Sequence, residues 1–518
     1  MNDSGCYKKI LLTTLNSKYV HTNLALKYLY VTSKDVCDRL TLKEYTINND
    51  DEYIFNDLVQ GDYDIICFSC YIWNVEKLKE LAENLKKACP NVIIIMGGPE
   101  VSYDAPAFLR ENPAVDFIVR GEGEYTLRCL LEKLQEGRYD FENIKGLSFR
   151  AGISLSLGGG NGVAQTDDAD LLVFETVPFP YKFFPCEKDK VLYYESTRGC
   201  PYKCAYCISS LEKKMRALPV ERVCHDLDRF IYSGVRQVKF IDRTFNWDRE
   251  RCRRIFSYII SRDTGLTNFH FELCGDLIDA ELIELLSNAR PGLFQFEIGI
   301  QSTNKKTLLA INRRNDLELT LENVRRLVSL GNLEVHVDLI AGLPFEDYQT
   351  FKKSFNDVYE LGASAFQMGF LKLLKGTELR RHAEKYDYEY KSKAPYEVIS
   401  NMFISAKELT RLKQMEYLLD VYYNRGGFAN SLEYLTKVVA ASPFDFFEEF
   451  AVFYNLKGYA ESSHKKEDMY RILYEYIGWK LKDDEKTIEE LKYLLEEDMD
   501  MTLNPEAVKR FKKKGWGM

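Results

Sequence analysis

Short apolar runs alternate with segments of helical periodicity over the first 130 residues. The runs are Ile10-Leu11-Leu12, Ile65-Ile66-Cys67-Phe68-Ser69, Val92-Ile93-Ile94-Ile95-Met96 and Phe117-Ile118-Val119, and residues 75–88 repeat with helical period between two of them. Such alternation predicts a parallel sheet wound on both faces, with a ligand crevice beyond the carboxyl ends of its strands. The pattern then lapses. Residues 143–190 carry Gly158-Gly159-Gly160-Asn161-Gly162, Asp167-Asp168-Ala169-Asp170 and Pro178-Phe179-Pro180-Tyr181, which is loop chemistry with room for a short hairpin around 145–165. Alternation returns with strand candidates at 191–195, 237–241, 269–273, 294–300, 335–340 and 365–370. Helical segments lie between them at 219–233, 248–261, 279–288, 304–311, 317–330 and 347–361. Six βα units fit a partial barrel better than a doubly wound sheet, and their ligands belong at the carboxyl ends of the strands. From 381 onward helical periodicity dominates, at 395–420, 428–438, 444–457, 463–482 and 485–498. The expected fold is therefore α/β: a doubly wound, Rossmann-like unit (1–142), a linker with a hairpin (143–190), a partial (β/α)6 barrel (191–380) and an α-helical C-terminal region (381–518).

Composition changes this picture little. With 46% hydrophobic and 13% aromatic residues the chain has the material for several cores, and disorder is not the default. A net charge of −9, from 70 basic and 79 acidic residues, argues against general polyanion binding, so nucleic acid is not indicated. Thirteen cysteines without a framework point to a reducing compartment, hence the cytoplasm. Met1-Asn2-Asp3-Ser4-Gly5 shows no leader pattern, and no run approaches the ~18 apolar residues that span a bilayer.

Candidate chemistry lies at the strand ends. Behind the run Val191-Leu192-Tyr193-Tyr194 stand Cys200, Cys204 and Cys207 at CxxxCxxC spacing, in one loop that can aim three thiolates at a single point. A [4Fe–4S] cube normally takes four thiolates, so three leave one iron open to a non-protein ligand. Structural zinc needs four closed ligands, and after Cys207 the next His or Cys residues are Cys224 and His225, outside finger spacing. In the first unit, Ser69-Cys70-Tyr71-Ile72-Trp73-Asn74, Gly97-Gly98-Pro99-Glu100 and Arg120-Gly121-Glu122-Gly123-Glu124 follow three of the strands. Glycine pairs there let backbone approach a ligand closely, or simply make tight turns. In the barrel the strand ends offer Asp242-Arg243, Glu272, Cys274 and Asp276, Glu297 and Gln301-Ser302, and Gly342-Leu343-Pro344. Asp276, Asp279, Ser302 and Thr303 have helix capping as a plainer role.

Arg198-Gly199-Cys200-Pro201 through Cys207, with Tyr206 directly before the last cysteine, resembles the signature of radical S-adenosylmethionine (SAM) enzymes. The Gly97–Glu100 and Arg120–Glu124 segments upstream make the whole similar to the cobalamin-binding radical SAM family. That resemblance implies a [4Fe–4S] cluster on Cys200, Cys204 and Cys207, and SAM held by Tyr206, Glu297, Gln301, Gly342, Leu343 and Pro344. Arg243 or Lys203 would pair the SAM carboxylate. It implies cobalamin beside Ser69, Cys70, Tyr71, Trp73, Asn74, Gly97, Gly98, Pro99, Glu100, Gly121 and Glu122. The Asp-x-His-x-x-Gly pattern of many cobalamin proteins is missing. His21 is then the candidate lower ligand to cobalt, or a cap for the helix at 23–30. The activity implied is methyl transfer to an unactivated carbon of a small molecule or peptide, with cyclisation or rearrangement as the alternative and a non-catalytic cobalamin sensor as a third reading. A reducing partner such as ferredoxin or flavodoxin and an anaerobic setting follow from the cluster.

Overall fold

The computed structural model describes residues 8–153, 162–212, 214–482 and 484–516. Its first sheet is built from β1 (Ile10–Asn16), β2 (Leu40–Thr46), β3 (Ile65–Ser69), β4 (Ile93–Gly97), β5 (Phe117–Val119), β6 (Leu147–Arg150) and β7 (Val163–Gln165), in the order β2-β1-β3-β4-β5-β6-β7. The first five are parallel, joined by α1 (Leu24–Ser33), α2 (Asp51–Gln60), α3 (Val75–Ala88), α4 (Pro99–Ser102) and α5 (Ala105–Glu111), while α6 (Gly123–Gln135) follows β5. Two apolar clusters cover the two faces of this sheet, as double winding requires. The apolar-run reading passes over β2, an edge strand in which Thr41, Lys43 and Glu44 interrupt the apolar run. The hairpin expected in the linker is the antiparallel pair β6–β7, which extends the first sheet; Gly158 to Asn161 of its expected tip lie outside the described residues.

The second sheet consists of six parallel strands, β8 (Val191–Tyr194), β11 (Gln237–Phe240), β12 (Asn268–Glu272), β13 (Phe294–Gln301), β14 (Glu334–Ala341) and β15 (Ala365–Phe370), in the order β15-β14-β13-β12-β11-β8. A two-residue ribbon, β9 (Thr197–Arg198) with β10 (Arg216–Ala217), stands between β8 and the next helix. The helices are α7 (Val220–Ser233), α8 (Arg249–Arg262), α9 (Ala280–Ser287), α10 (Lys305–Ala310), α11 (Leu317–Ser329) and α12 (Tyr348–Tyr359). Along each strand, side chains alternate between two faces. Val238, Phe240, Phe269, Phe271, Phe294, Phe296, Val335 and Val337 are buried on the helix-covered face. Lys239, His270, Glu272, Glu297, His336 and Asp338 share the other, so the half-barrel is lined with charge.

Both edges of this sheet are covered. At β8, Val191 N–H donates to Val20 O at 2.7 Å, and the loop after β1 forms a bridge between His21 and Val191. At β15, the Asn424 side chain accepts from Phe366 N–H at 2.8 Å and donates to Phe366 O at 3.0 Å. The C-terminal helices share one continuous apolar core with the half-barrel, with Phe444 and Phe447 packed on Phe355. Tyr422 and Phe428 belong to this core, as aromatics at helical spacing usually do. The helix expected from 395 starts only at Ala406, behind a Ser405/Glu408 capping box; before it runs a short strand, Val398–Ser400. Among the described residues no helix is long and apolar enough to cross a membrane.

Candidate active site

The cysteine loop leaves the carboxyl end of β8 from a locked base. The fully buried Asp242 carboxylate accepts from Ser196 N–H (2.9 Å), Ser196 Oγ (2.6 Å) and Thr197 Oγ1 (2.6 Å), and Arg251 donates to Leu218 O (2.6 Å) and Ser196 O (3.3 Å). Gly199 turns the chain at φ +91°, and a Cβ there would stand 2.8 Å from Lys214 O, so only glycine fits. Beyond it, Cys200 Sγ lies 3.5 Å from Thr244 Oγ1 and the buried Cys204 Sγ lies 4.0 Å from Arg313 Nη1. Burial pushes the Cys204 thiol up, against the opposing pull of Arg313.

Cys204 feels the charges of both Cys207 and Cys200, while among the described residues no three His, Cys, Asp or Glu side chains are placed to hold a single metal ion. Cys200 and Cys204 face different partners, Thr244 and Arg313. A four-iron cube differs from a single ion in taking each thiolate on its own iron, so three thiols of one locked loop suit it without meeting at a point.

Around the loop the structure gathers some of the expected SAM residues. Tyr206 Oη lies 3.4 Å from Arg313 Nη1, and Arg313 Nη2 donates to Gly299 O. The Gln301 amide folds over Gly299, in a β-bulge where Gln301 has φ +72°. Gln301 Oε1 and Asp338 Oδ1 are buried without a hydrogen-bond partner, two acceptors open to a ligand's donors. Glu297 lies on the same face of the half-barrel as Asp338, with partners of its own. Its carboxylate accepts from Lys239 Nζ at 3.2 Å and stands 3.1 Å from His270 Nε2, and the His270 hydrogen bond, with Lys239, holds it down to about 2. Gly342, Leu343 and Pro344 are buried at the end of β14, where Gly342 O accepts from Tyr388 Oη and Asn401 Nδ2, both at 2.9 Å. Arg243 approaches Glu272 at 3.8 Å. Of the residues weighed as caps, Asp279 caps α9, while Ser302 donates to Glu346 at 2.6 Å.

At the carboxyl edge of the first sheet, Tyr71 and Trp73 stack with centroids 4.5 Å apart and planes 3° from parallel. Trp73 Nε1 donates to Leu15 O at 3.0 Å, which fixes the pair, and Trp73 remains 43% exposed, leaving a flat apolar face outward. Asn74 is fully buried, donating to Thr14 Oγ1, Leu15 O and Ser69 O and accepting from Tyr71 N–H, which ties the end of β3 to that of β1. Cys70 is buried and its thiol pushed up by burial. Gly98, at φ +106°, would place a Cβ 2.5 Å from Cys70 O, so this glycine answers the close approach of the β3 and β4 ends. Gly121 has φ +69° and open space around it, and Pro99 starts α4. His21 stands with Nδ1 2.7 Å from Tyr193 Oη, and burial, with Lys18 and Lys239 nearby, lowers its pKa. The alternative role of His21 as a helix cap is corrected: Asn23 caps α1, accepting from Leu26 N–H at 2.8 Å.

Two expected cobalamin residues are turned toward the rest of the chain. The buried Glu100 carboxylate accepts from Tyr396 Oη and lies 4.0 Å from Lys375 Nζ. Glu122 accepts from Leu172 N–H (2.9 Å), from Arg216 and from Arg198 (3.3 Å). Tyr103, just after α4, packs its ring within 2.8 Å of where a Gly376 Cβ would stand. Partial burial, then the negative charges of Glu212 and Cys207, push its phenol up, although the residue stays 42% exposed. The carboxyl edge of the first sheet thus abuts the cysteine loop. Strand-end reasoning missed Arg313, in the connection between α10 and α11, and Tyr103; the run Asn312-Arg313-Arg314-Asn315 is a cluster of charge that no periodicity explains.

Residues 10–131 match the family model of the B12 binding domain, residues 194–358 that of the radical SAM superfamily, and residues 384–514 that of a protein of unknown function (DUF4080). The chain is 26% identical to the cobalamin-dependent radical SAM methyltransferase TokK of Streptomyces tokunonensis over 58% of its own length and 45% of TokK. It is also 26% identical to an anaerobic magnesium-protoporphyrin IX monomethyl ester cyclase of Synechocystis, over 47% of its length and 48% of the cyclase. The chain spans about half the length of the curated relatives it matches. In fold it is similar to the cobalamin-dependent S-adenosylmethionine radical enzyme OxsB, with a TM-score of 0.62 at 15% identity, covering 99% of this chain and 85% of OxsB.

Proposed function

We propose that this chain, in which a B12-binding domain is joined to a radical SAM domain, is a cobalamin-dependent radical SAM methyltransferase acting on an unactivated carbon. The observation that carries the reading is the meeting of two strand-end regions: Tyr103, after β4, and Leu211, just beyond the cysteine loop, both pack against Gly376, and Arg198 at the root of that loop donates to Glu122 and Glu124 after β5. Two group carriers held there would address one substrate. In this reading Cys200, Cys204 and Cys207 hold a [4Fe–4S] cluster, and Tyr206, Gln301 and Arg313 hold SAM beside it. Gly342, Leu343 and Pro344 form a wall and Glu297 sets the charge beneath. The Tyr71–Trp73 stack presents its flat face to the corrin, and Ser69, Gly97 and Gly98 border the slot for its tail. When bound, these groups supply a 5′-deoxyadenosyl radical and a transferable methyl group.

The chain's own part is binding, orientation and exclusion of water. Arg313 places a guanidinium between Cys204 and Tyr206, where it neutralises negative charge on cluster and ligand. Gln301 Oε1 and Asp338 Oδ1 offer acceptors to bound donor groups. Electrons come from a partner of ferredoxin or flavodoxin type, and the twelve cysteines described, all free, suit a reducing cytoplasm.

The test is anaerobic reconstitution with iron, sulfide and hydroxocobalamin, then a low-potential reductant and SAM, with 5′-deoxyadenosine, S-adenosylhomocysteine and bound cobalamin quantified. Retained cobalamin with both SAM products is the expected result. Deoxyadenosine alone, in the presence of a methylatable acceptor, transfers the assignment to cyclisation or rearrangement. Neither product from protein with an intact cluster sinks both.

A further inference from the structure

Arg198 stands two residues before Cys200 and is almost wholly buried, at 7% exposure. Its guanidinium donates through Nη2 to Glu124 (2.6 Å), through Nη1 to Glu122 (3.3 Å) and through Nε to Glu195 (3.0 Å), while Phe174 lies under its plane at 4.6 Å. Glu122 is also gripped by Arg216 from β10, the strand paired with Arg198 itself. Burial opposes the charge on Arg198, but Glu195, Glu124 and Glu122 outweigh it and hold the group protonated. Glu122 and Glu124 belong to the turn that opens α6 at the carboxyl end of β5. One buried knot therefore fastens that end of the first sheet to the root of the cysteine loop.

We propose that Arg198, with Glu122 and Glu124, is a positioning device that sets the placement of the cobalamin-bearing sheet relative to the cluster loop. None of the three touches a reacting group; each acts through the elements it holds. A guanidinium forked between carboxylates of both elements fixes direction as well as distance, which a hydrophobic contact does not. A misplacement of ~1 Å between reacting groups costs ~10²-fold in rate, so this knot bears on methyl transfer while the chemistry of the cluster alone does not depend on it. The activity part of the inference rests on the function proposed above.

The test compares the full-length holoprotein with its Glu124→Gln and Glu124→Ala variants, each loaded with cluster and cobalamin and assayed for iron and cobalt content. Cob(II)alamin and the reduced cluster are both paramagnetic, and the dipolar broadening of the cob(II)alamin EPR signal by the cluster reports their separation. Expected is unchanged metal content, weakened broadening, deoxyadenosine formation within about twofold, and S-adenosylhomocysteine formation reduced about 10- to 100-fold in the alanine variant, with partial rescue in the glutamine one. Unaltered broadening and product ratio overturn the proposal, as does loss of both products together with the cluster, which marks mere structural support. Should the parent protein cleave no SAM, the function proposed above falls, while the EPR comparison still decides the positioning role.

Discussion

Single carboxyl groups in the half-barrel are pulled in opposite directions by their surroundings. Glu297 is held down to about 2 by His270 and Lys239, whereas burial, with Glu297 and Glu272 nearby, pushes Asp338 up to about 7. Glu346 is the simplest of these groups to test. It is 1% exposed, accepts from Ser302 and Ser354 through one oxygen, has its other oxygen unpartnered, and is pushed up to about 7 by burial. A carboxyl with a raised pKa in the folded state binds its proton more tightly there than when unfolded. Its contribution to stability is therefore full below about pH 4.5, declines as pH rises toward 7, and is lost above, amounting to about 3 kcal/mol at most. Urea midpoints from pH 4.5 to 8 should fall less steeply in Glu346→Gln than in the parent. The difference between the two isolates this residue, because Glu195 and Asp338 titrate in the same sense. Equal slopes would show that Glu346 is not a buried titrating group.

Among the elements, the turns after the parallel strands carry most of the specificity. Gly98 and Gly121 both adopt positive φ, but only Gly98 is also crowded, by Cys70 O. Gly98→Ala should cost about 2–5 kcal/mol, from backbone strain and overpacking together. Gly121→Ala should cost only the left-handed backbone term of about 1–2 kcal/mol. Chemical denaturation of the two variants checks the order, and a larger loss at Gly121 would contradict the geometry. Elements of this kind are readable in sequence when their signal is local. The helix expected at 75–88 is α3, Val75–Ala88, because its apolar period and charged flanks lie within one window. The six barrel strands are legible for the same reason. The edge strand β2 escapes because it carries polar side chains, and residues 395–405 escape because a turn, the short strand Val398–Ser400 and a bend precede the Ser405 cap. The cysteine motif is fully legible as a motif. Its supports, Asp242 and Arg251, are not, since nothing near them in sequence announces what they bind.

At the scale of the whole molecule, the chain is held by polar contacts between residues far apart in sequence. Arg198 and Glu124 are 74 residues apart, and Tyr396 and Glu100 are 296 apart. No periodicity encodes such pairs, which is why the partners of Glu100 and Glu122, Tyr396 and Arg198 with Arg216, are not legible in the sequence. Tyr396→Phe leaves the buried Glu100 carboxylate with Lys375 at 4.0 Å as its nearest counter-charge, and should cost about 1–3 kcal/mol. Adding Glu100→Gln should restore part of that loss, measurable as a partial recovery of the urea midpoint; an additive double variant would show that the two residues do not communicate. The covered edges of the half-barrel have a consequence of another kind. A parallel sheet that stops at six strands exposes two rows of unpaired backbone groups, each able to recruit a strand from a second molecule. The amide of Asn424, occupying both hydrogen-bonding groups of Phe366, and the His21 loop along Val191 deny that opportunity. They act as gatekeepers against aggregation, so substituting Asn424 would show itself first as poor solubility during expression.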